Sequence, residues 1–299
     1  MEMPAPSPIQ RIPVRHTELG EGFSIKRALP TRECRMVGAW CFLDHIGPAE
    51  MQNTDGMHVG AHPHTCLQTF TWMISGQILH RDSLGSEQVI RPGQVNLMTA
   101  GRGISHTEDS VPGEAILHAA QLWIALPPEC AEMPPAFEHY PDLPNWQADG
   151  VEYTLLAGQW QNRAAPTRVF SPLVGLDVFA ANAASLSLPL QRQFEHGLLV
   201  LSGQASINGM GFDGNDFAYL AQGADGVELQ LSAGARVLLV GGEPFASPMN
   251  MWWNFVGPSK SHIAQAQKDW ESNSARFGNV KGGENRRLQA PALPAGYTA

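Results

Sequence analysis

Two pairs of side chains in this sequence combine metal-ligating chemistry with a spacing of two: His62 with His64, and His106 with Glu108. In an extended strand, side chains two apart leave from the same face, so each pair points one way. Pro63 holds the backbone of the first pair extended. Three imidazoles and one carboxylate converging from two strands fill four positions around a borderline divalent cation and leave one or two open. The pattern is that of a metal site of catalytic type. Ligand type alone admits iron, manganese, nickel, copper or zinc.

These residues need strands to position them. From His62 onward the even positions read His62, His64, Cys66, Gln68, Phe70, Trp72, Ile74. Read as one strand, this places the site at the mouth of an apolar cavity formed by Phe70, Trp72 and Ile74. Cys66 on that face is expected to be a small buried core residue. Asp82-Ser83-Leu84-Gly85 and Arg91-Pro92-Gly93 read as hairpin turns, and glycines and prolines at such corners suit a barrel. Gly101-Arg102-Gly103 lacks the third glycine and following helix of a phosphate loop, so its expected task is to turn the chain and aim His106. Asp44 and His45, next to a Gly-Pro turn, are read as turn-stabilising residues rather than site residues.

A second all-β half follows a proline-rich connector from about Pro134 to Asp149, with strands expected around Leu173–Phe179, Glu195–Gly203 and Arg236–Val240. His64 through Ser75-Gly76-Gln77 and His196 through Ser202-Gly203-Gln204 share a faint echo, as in an internal repeat. The second copy has no ligand pair, so the lone His196 reads as a core residue and one metal is expected, in the N-terminal half. Ser261 is positioned to cap a helix running to about Trp270. The first dozen residues are expected to form a loose arm, and those after Gly283 a mobile tail.

Composition narrows the function. With 28 acidic against 19 basic side chains the net charge is -9, which repels phosphate backbones and anionic membranes. Direct nucleic-acid or membrane binding is not expected. Four cysteines without CxxC spacing fit a reducing compartment. No basic start with an apolar run opens the chain and no stretch approaches a membrane span, so the expected location is cytoplasmic.

His62-Pro63-His64, His80-Arg81-Asp82-Ser83-Leu84-Gly85, Arg91-Pro92-Gly93, Met98-Thr99-Ala100-Gly101-Arg102-Gly103-Ile104 and Ser105-His106-Thr107-Glu108 together resemble the pirin family of bicupins. Leu43-Asp44-His45 with Gly47-Pro48, Gln121-Leu122-Trp123 and Gly242-Glu243-Pro244 look like further landmarks. The resemblance implies an all-β fold of two cupin (jelly-roll β-barrel) domains with a short C-terminal helix. We expect an N-terminal, metal-binding domain over 13–133, a degenerate one over 150–256, and a helix and tail over 257–299. It further implies a single iron, Fe(II), held by His62, His64, His106 and Glu108. The family's His-Pro-His-Arg-Gly-Phe-Glu is here His62-Pro63-His64-Thr65-Cys66-Leu67-Gln68, so Gln68 replaces a second acid on the expected metal-facing side.

Some pirins cleave quercetin with dioxygen, and others act as partners of transcription factors or metabolic enzymes. The resemblance therefore implies either a quercetin 2,3-dioxygenase-type oxidoreductase, taking a small aromatic or enolic substrate and dioxygen, or a metal- and redox-dependent regulatory protein. In the first reading Glu108 serves as both ligand and catalytic base. A sugar isomerase needs hydroxyl-binding partners that an apolar interior does not offer.

Overall fold

The computed structural model describes residues 9–19, 23–52, 54–245 and 249–297. The chain divides into two compact units, one formed by 1–15, 26–45 and 142–245, the other by 16–25, 46–141 and 246–299. Each is built from antiparallel strands in a larger and a smaller sheet. No helix among the described residues is long and apolar enough to cross a membrane.

In the first unit an eight-stranded sheet runs from Ile9–Ile12 through Phe217–Leu220, Glu195–Ser202, Ala235–Gly242, Leu173–Ala180 and Val151–Trp160 to Asn145–Ala148, with Arg163–Ala164 at its side. A four-stranded sheet packs on it, and Leu186, Val227, Leu229 and Ile207 from the small sheet join Leu176, Leu198, Val200 and Leu239 from the large one in a single core. Residues 1–8 of the expected arm lie outside the described residues. Ile9–Ile12 is not loose: it pairs with Phe217–Leu220, covering that strand's edge, while Ile12 enters the core at 1% exposure. Asp44 and His45 lie in the strand Trp40–Glu50 rather than in a turn. Arg27 clamps Asp44 with two bonds of 2.8 and 2.7 Å, and His45 Nδ1 lies 2.8 Å from Asn215 Oδ1.

His196 is fully buried in this unit, and among the described residues neither ring nitrogen has a hydrogen-bond partner. Burial pushes its pKa down to about 4. The unfolded chain takes up this proton near pH 6.5, whereas the folded chain refuses it until about pH 4. The contribution to stability is complete above pH 6.5 and is lost as pH falls toward 4. At about 1.4 kcal/mol per pKa unit this is on the order of 3 kcal/mol. His196→Leu is expected to flatten the stability profile over that interval by a comparable amount, read from urea unfolding at pH 7 and pH 4.5. Equal pH slopes for the two proteins would contradict it.

The second unit carries the ligand-type residues. Its larger sheet orders Ala136–Tyr140, Val95–Thr99, Leu67–Ser75 and Ile116–Ala125. The smaller orders His58–His64, Ile104–Ser110, Ile78–Asp82 and Glu87–Ile90. Met73, Leu117 and Ala119 of the one meet Val59, Ile78 and Ile90 of the other in a common core. The expected turn at Asp82-Ser83-Leu84-Gly85 closes the hairpin between Ile78–Asp82 and Glu87–Ile90, with Gly85 at φ +89, whereas Arg91-Pro92-Gly93, with Gly93 at φ +82, closes no hairpin and leads the chain from the smaller sheet into Val95–Thr99 of the larger one.

Three departures from the sequence reading bear on the site. The expected connector carries two strands, Ala136–Tyr140 and Asn145–Ala148, each completing the edge of a sheet. The helix spans Lys260–Glu271 and is capped by Ser259, whose Oγ accepts from the amide of His262 at 3.1 Å; Ser261 lies inside it. The tail beyond Gly283 is docked rather than mobile. Leu288 donates its amide to Ala61 O at 2.8 Å, Trp270 Nε1 donates to Leu288 O, and Arg286 grips Asp109 through bonds of 2.8 and 3.0 Å. Burial opposes ionisation of Asp109, but Arg286 and His58 hold its carboxyl below the usual range.

Candidate metal centre

The two ligand-bearing strands lie side by side, with His106 opposite His62 and Ile104 opposite His64. The register slips between His106 and Glu108, where Glu108 faces Val59. The extra residue on the His58–His64 strand is a β-bulge at Gly60-Ala61, a device that re-aims neighbouring side chains. On its other edge Ile104–Ser110 pairs with Ile78–Asp82, setting His106 opposite Asp82 and Glu108 opposite His80.

One ring nitrogen from each of His62, His64 and His106 falls in a cluster whose members lie within 4.8 Å of one another. A second cluster of the same tightness joins His106 to His80 and the carboxylate of Glu108. His106 belongs to both. All are buried, the exposure of Glu108 being 7% and that of His64 and His106 1%. Both clusters lie in this unit.

Burial pushes the pKa of His62 down to about 4, and those of His64 and His106 well below the ordinary value. Three neutral imidazoles result, as metal ligation requires. Glu108 is pushed up to about 7 by burial and by neighbouring Asp109. His62 Nδ1 donates to Gly60 O at 2.8 Å and His64 Nδ1 to Asn254 O at 3.1 Å, which leaves a lone pair on each Nε2. His64 Nε2 lies 3.1 Å from His106 Nε2. Two nitrogens about 2.1 Å from one cation and at right angles to each other lie about 3.0 Å apart, so this pair fits two adjacent ligand positions. The buried triad is a divalent metal site in donor chemistry and spacing.

The interior differs from the expectation that Phe70, Trp72 and Ile74 line the metal-facing side. Cys66 sits at φ +53 and breaks the run into two strands, His58–His64 and Leu67–Ser75. The break reverses the alternation. Residues opposite one another in an antiparallel pair share a face. Trp123, which meets the His64 ring edge-on at 5.0 Å, is opposite Thr69. Phe137, stacked on His80 at 4.3 Å, is opposite Met98, itself opposite Thr69. The face toward the histidines therefore carries Thr69, Thr71 and Met73, while Gln68, Phe70 and Trp72 face away. Gln68 bonds Thr99 on that far face at 3.0 Å, so its replacement of an acid leaves the metal side unchanged. The interior is mixed, with Thr71 donating to Gln121 at 2.7 Å and His139 to Asn96 at 2.7 Å. Cys66 is buried as expected and directs its Sγ to His262 Nε2 at 3.3 Å.

His80, Asp82, Trp123, Phe137 and Asn254 thus join the site. His80-Arg81-Asp82 repeats the spacing of two seen at His62/His64 and at His106/Glu108, a signal the sequence did carry. Nothing local marks Asn254, which acts through its backbone carbonyl.

Barrels of this kind, twice in one chain with a buried histidine cluster in one, define a bicupin. A Pirin model matches residues 22–124 and a model of the Pirin C-terminal cupin domain matches 175–278. A Pseudomonas aeruginosa protein named "Putative quercetin 2,3-dioxygenase" is 57% identical over 286 residues, 96% of this chain and 91% of that one. A Pirin-like protein of Caulobacter vibrioides is 35% identical over 281 residues, 90% of this chain and 95% of its own length. The crystal structure of an Acinetobacter baumannii quercetin 2,3-dioxygenase superposes with a TM-score of 0.94 at 49% identity, covering 96% of each chain. The chain belongs to the pirin family.

Proposed function

We propose that this protein is a metal-dependent dioxygenase that cleaves a flavonol such as quercetin, or a related enol, with Fe(II) held by His62, His64, His106 and Glu108. The observation that carries this reading is that His106 shares one buried cluster with His62 and His64 and a second with His80 and Glu108, all within one barrel. It is supported by likeness along nearly the whole chain to proteins named for that activity. A divalent iron there supplies Lewis acidity toward an enolic hydroxyl and redox access to dioxygen.

The protein's own groups do the rest. Trp123 and Phe137 offer flat apolar faces beside His64 and His80, suited to fused aromatic rings. The Thr71–Gln121 and Asn96–His139 pairs share that face. Their amide oxygens accept from Thr71 and His139, which orients the amide N–H groups of Gln121 and Asn96 as the donors these side chains have to offer ring hydroxyls. Glu108, buried beside His106 and His80, accepts the proton that the substrate hydroxyl gives up.

The test is oxygen uptake. Iron-loaded protein given quercetin is expected to consume oxygen over many turnovers, and His62→Ala to consume none. Absence of uptake with every flavonol and enol tried, at full metal occupancy, contradicts the reading.

A further inference from the structure

The proton of His106 has two places to go. His106 Nε2 faces His64 Nε2 at 3.1 Å, and His106 Nδ1 faces His80 Nδ1 at 3.4 Å. A neutral imidazole carries one proton, so His106 can donate to only one of these neighbours. His64 Nε2 is an acceptor, because its Nδ1 proton is committed to Asn254 O. If His106 donates there, its Nε2 is no longer a ligand. If it donates to His80, Nε2 presents its lone pair beside those of His62 and His64.

Donation to His80 requires that His80 Nδ1 be bare, and that is decided one residue further out. His80 Nε2 lies 3.1 Å from Asp82 Oδ2, and a carboxylate can only accept, so the His80 proton sits at Nε2 and its Nδ1 is free to receive. Asp82 is itself fixed. Its Oδ1 accepts the turn amides of Leu84 at 2.9 Å and Ser86 at 3.1 Å, which leaves Oδ2 for His80. The side chain is fully buried, and Phe137 stacks on His80 with an interplanar angle of 12°.

We propose that His80 and Asp82 are positioning residues that draw the proton of His106 to Nδ1 and so present its Nε2 to the metal. The inference rests on the reading of His106 as a ligand. Gly60 O and Asn254 O do the same for His62 and His64, but they are backbone groups. Of the three imidazoles His106 alone depends on side chains for its tautomer, so it is the one histidine ligand whose outer partners mutation can reverse. Such partners are worth about 10–100-fold in metal affinity.

The sharpest variant is Asp82→Asn, which changes no volume. The amides of Leu84 and Ser86 hold its carbonyl oxygen where Oδ1 stood, turning its NH2 toward His80. His80 must then accept at Nε2 and carry its proton at Nδ1, which forces His106 to accept there and to keep its own proton on Nε2. Affinity for cobalt(II) in the full-length protein, read by chelator competition, is expected to fall by about 10–100-fold. The cobalt ligand-field spectrum should change, while the melting temperature of the metal-free protein stays close to wild type because the turn is intact. His80→Leu should lose affinity similarly, and His80→Asn, whose Oδ1 can stand in for Nδ1, should recover most of it. Wild-type affinity and spectrum in Asp82→Asn overturn the proposal, as does a loss of affinity only in proportion to lost stability. His106→Ala separates the two levels: if it binds cobalt(II) like wild type, the ligand assignment itself fails. If it loses the metal while Asp82→Asn does not, only the positioning role fails.

Discussion

Alanine in place of His64 is expected to empty the N-terminal barrel of metal while leaving it folded. The imidazole it removes is neutral and buried, bonded to Asn254 O and facing His106 Nε2 at 3.1 Å, so the metal-free protein loses about 1–2 kcal/mol plus some packing against Trp123. The metal loses one of three imidazoles whose ligand atoms cluster within 4.8 Å of one another, and affinity should fall further than the roughly 100-fold that loss of an outer hydrogen-bond partner can cost. The contrast is visible in thermal melts. Metal at one hundred times its dissociation constant stabilises the wild type by about 2.7 kcal/mol and should leave the variant unmoved. Equal metal-induced shifts in both proteins would place the metal elsewhere.

The second large effect comes from a residue with no side chain. Gly60 lies in the bulge before His62, and a Cβ there would stand 1.9 Å from Arg286 O and 3.0 Å from its carbonyl carbon. Both are backbone atoms and cannot rotate away, so Gly60→Ala must lift the C-terminal strap. With it go the Arg286–Asp109 pair and the bond from Leu288 to Ala61. Overpacking costs about 1–3 kcal/mol and each lost hydrogen bond about 1 more, so a loss of about 3–5 kcal/mol is expected, about 10 °C in melting temperature. New protease sensitivity should appear around residues 283–291. Gly211→Ala is the control, since its added Cβ meets nothing within 4 Å. Similar melting temperatures for the two variants would contradict the strap's role.

What the sequence shows depends on how far each cause lies from its effect. The ligand types and two of the strands that bring them together are visible in His-x-His and His-x-Glu, because strand geometry converts a spacing of two into a shared face. The interior is not legible in the sequence because the alternation breaks at Cys66, a residue that rarely adopts positive φ and carries no local mark of the break. The strand at Ala136–Tyr140 hides among prolines, and its Phe137 matters only through stacking on His80. The docked tail is illegible for the same reason: Arg286 finds Asp109 across 177 residues of chain. His80 and Asp82 stood in plain view, but their part depends on two hydrogen bonds whose direction only the folded arrangement fixes.

Crystals of the full-length protein soaked with iron(II) or cobalt(II), measured at the absorption edge of that metal, test the whole account most directly. It predicts one anomalous peak in the N-terminal barrel, bonded to Nε2 of His62, His64 and His106 and to a carboxylate oxygen of Glu108. A peak bonded to other side chains, or one that leaves Glu108 unbound, would contradict it.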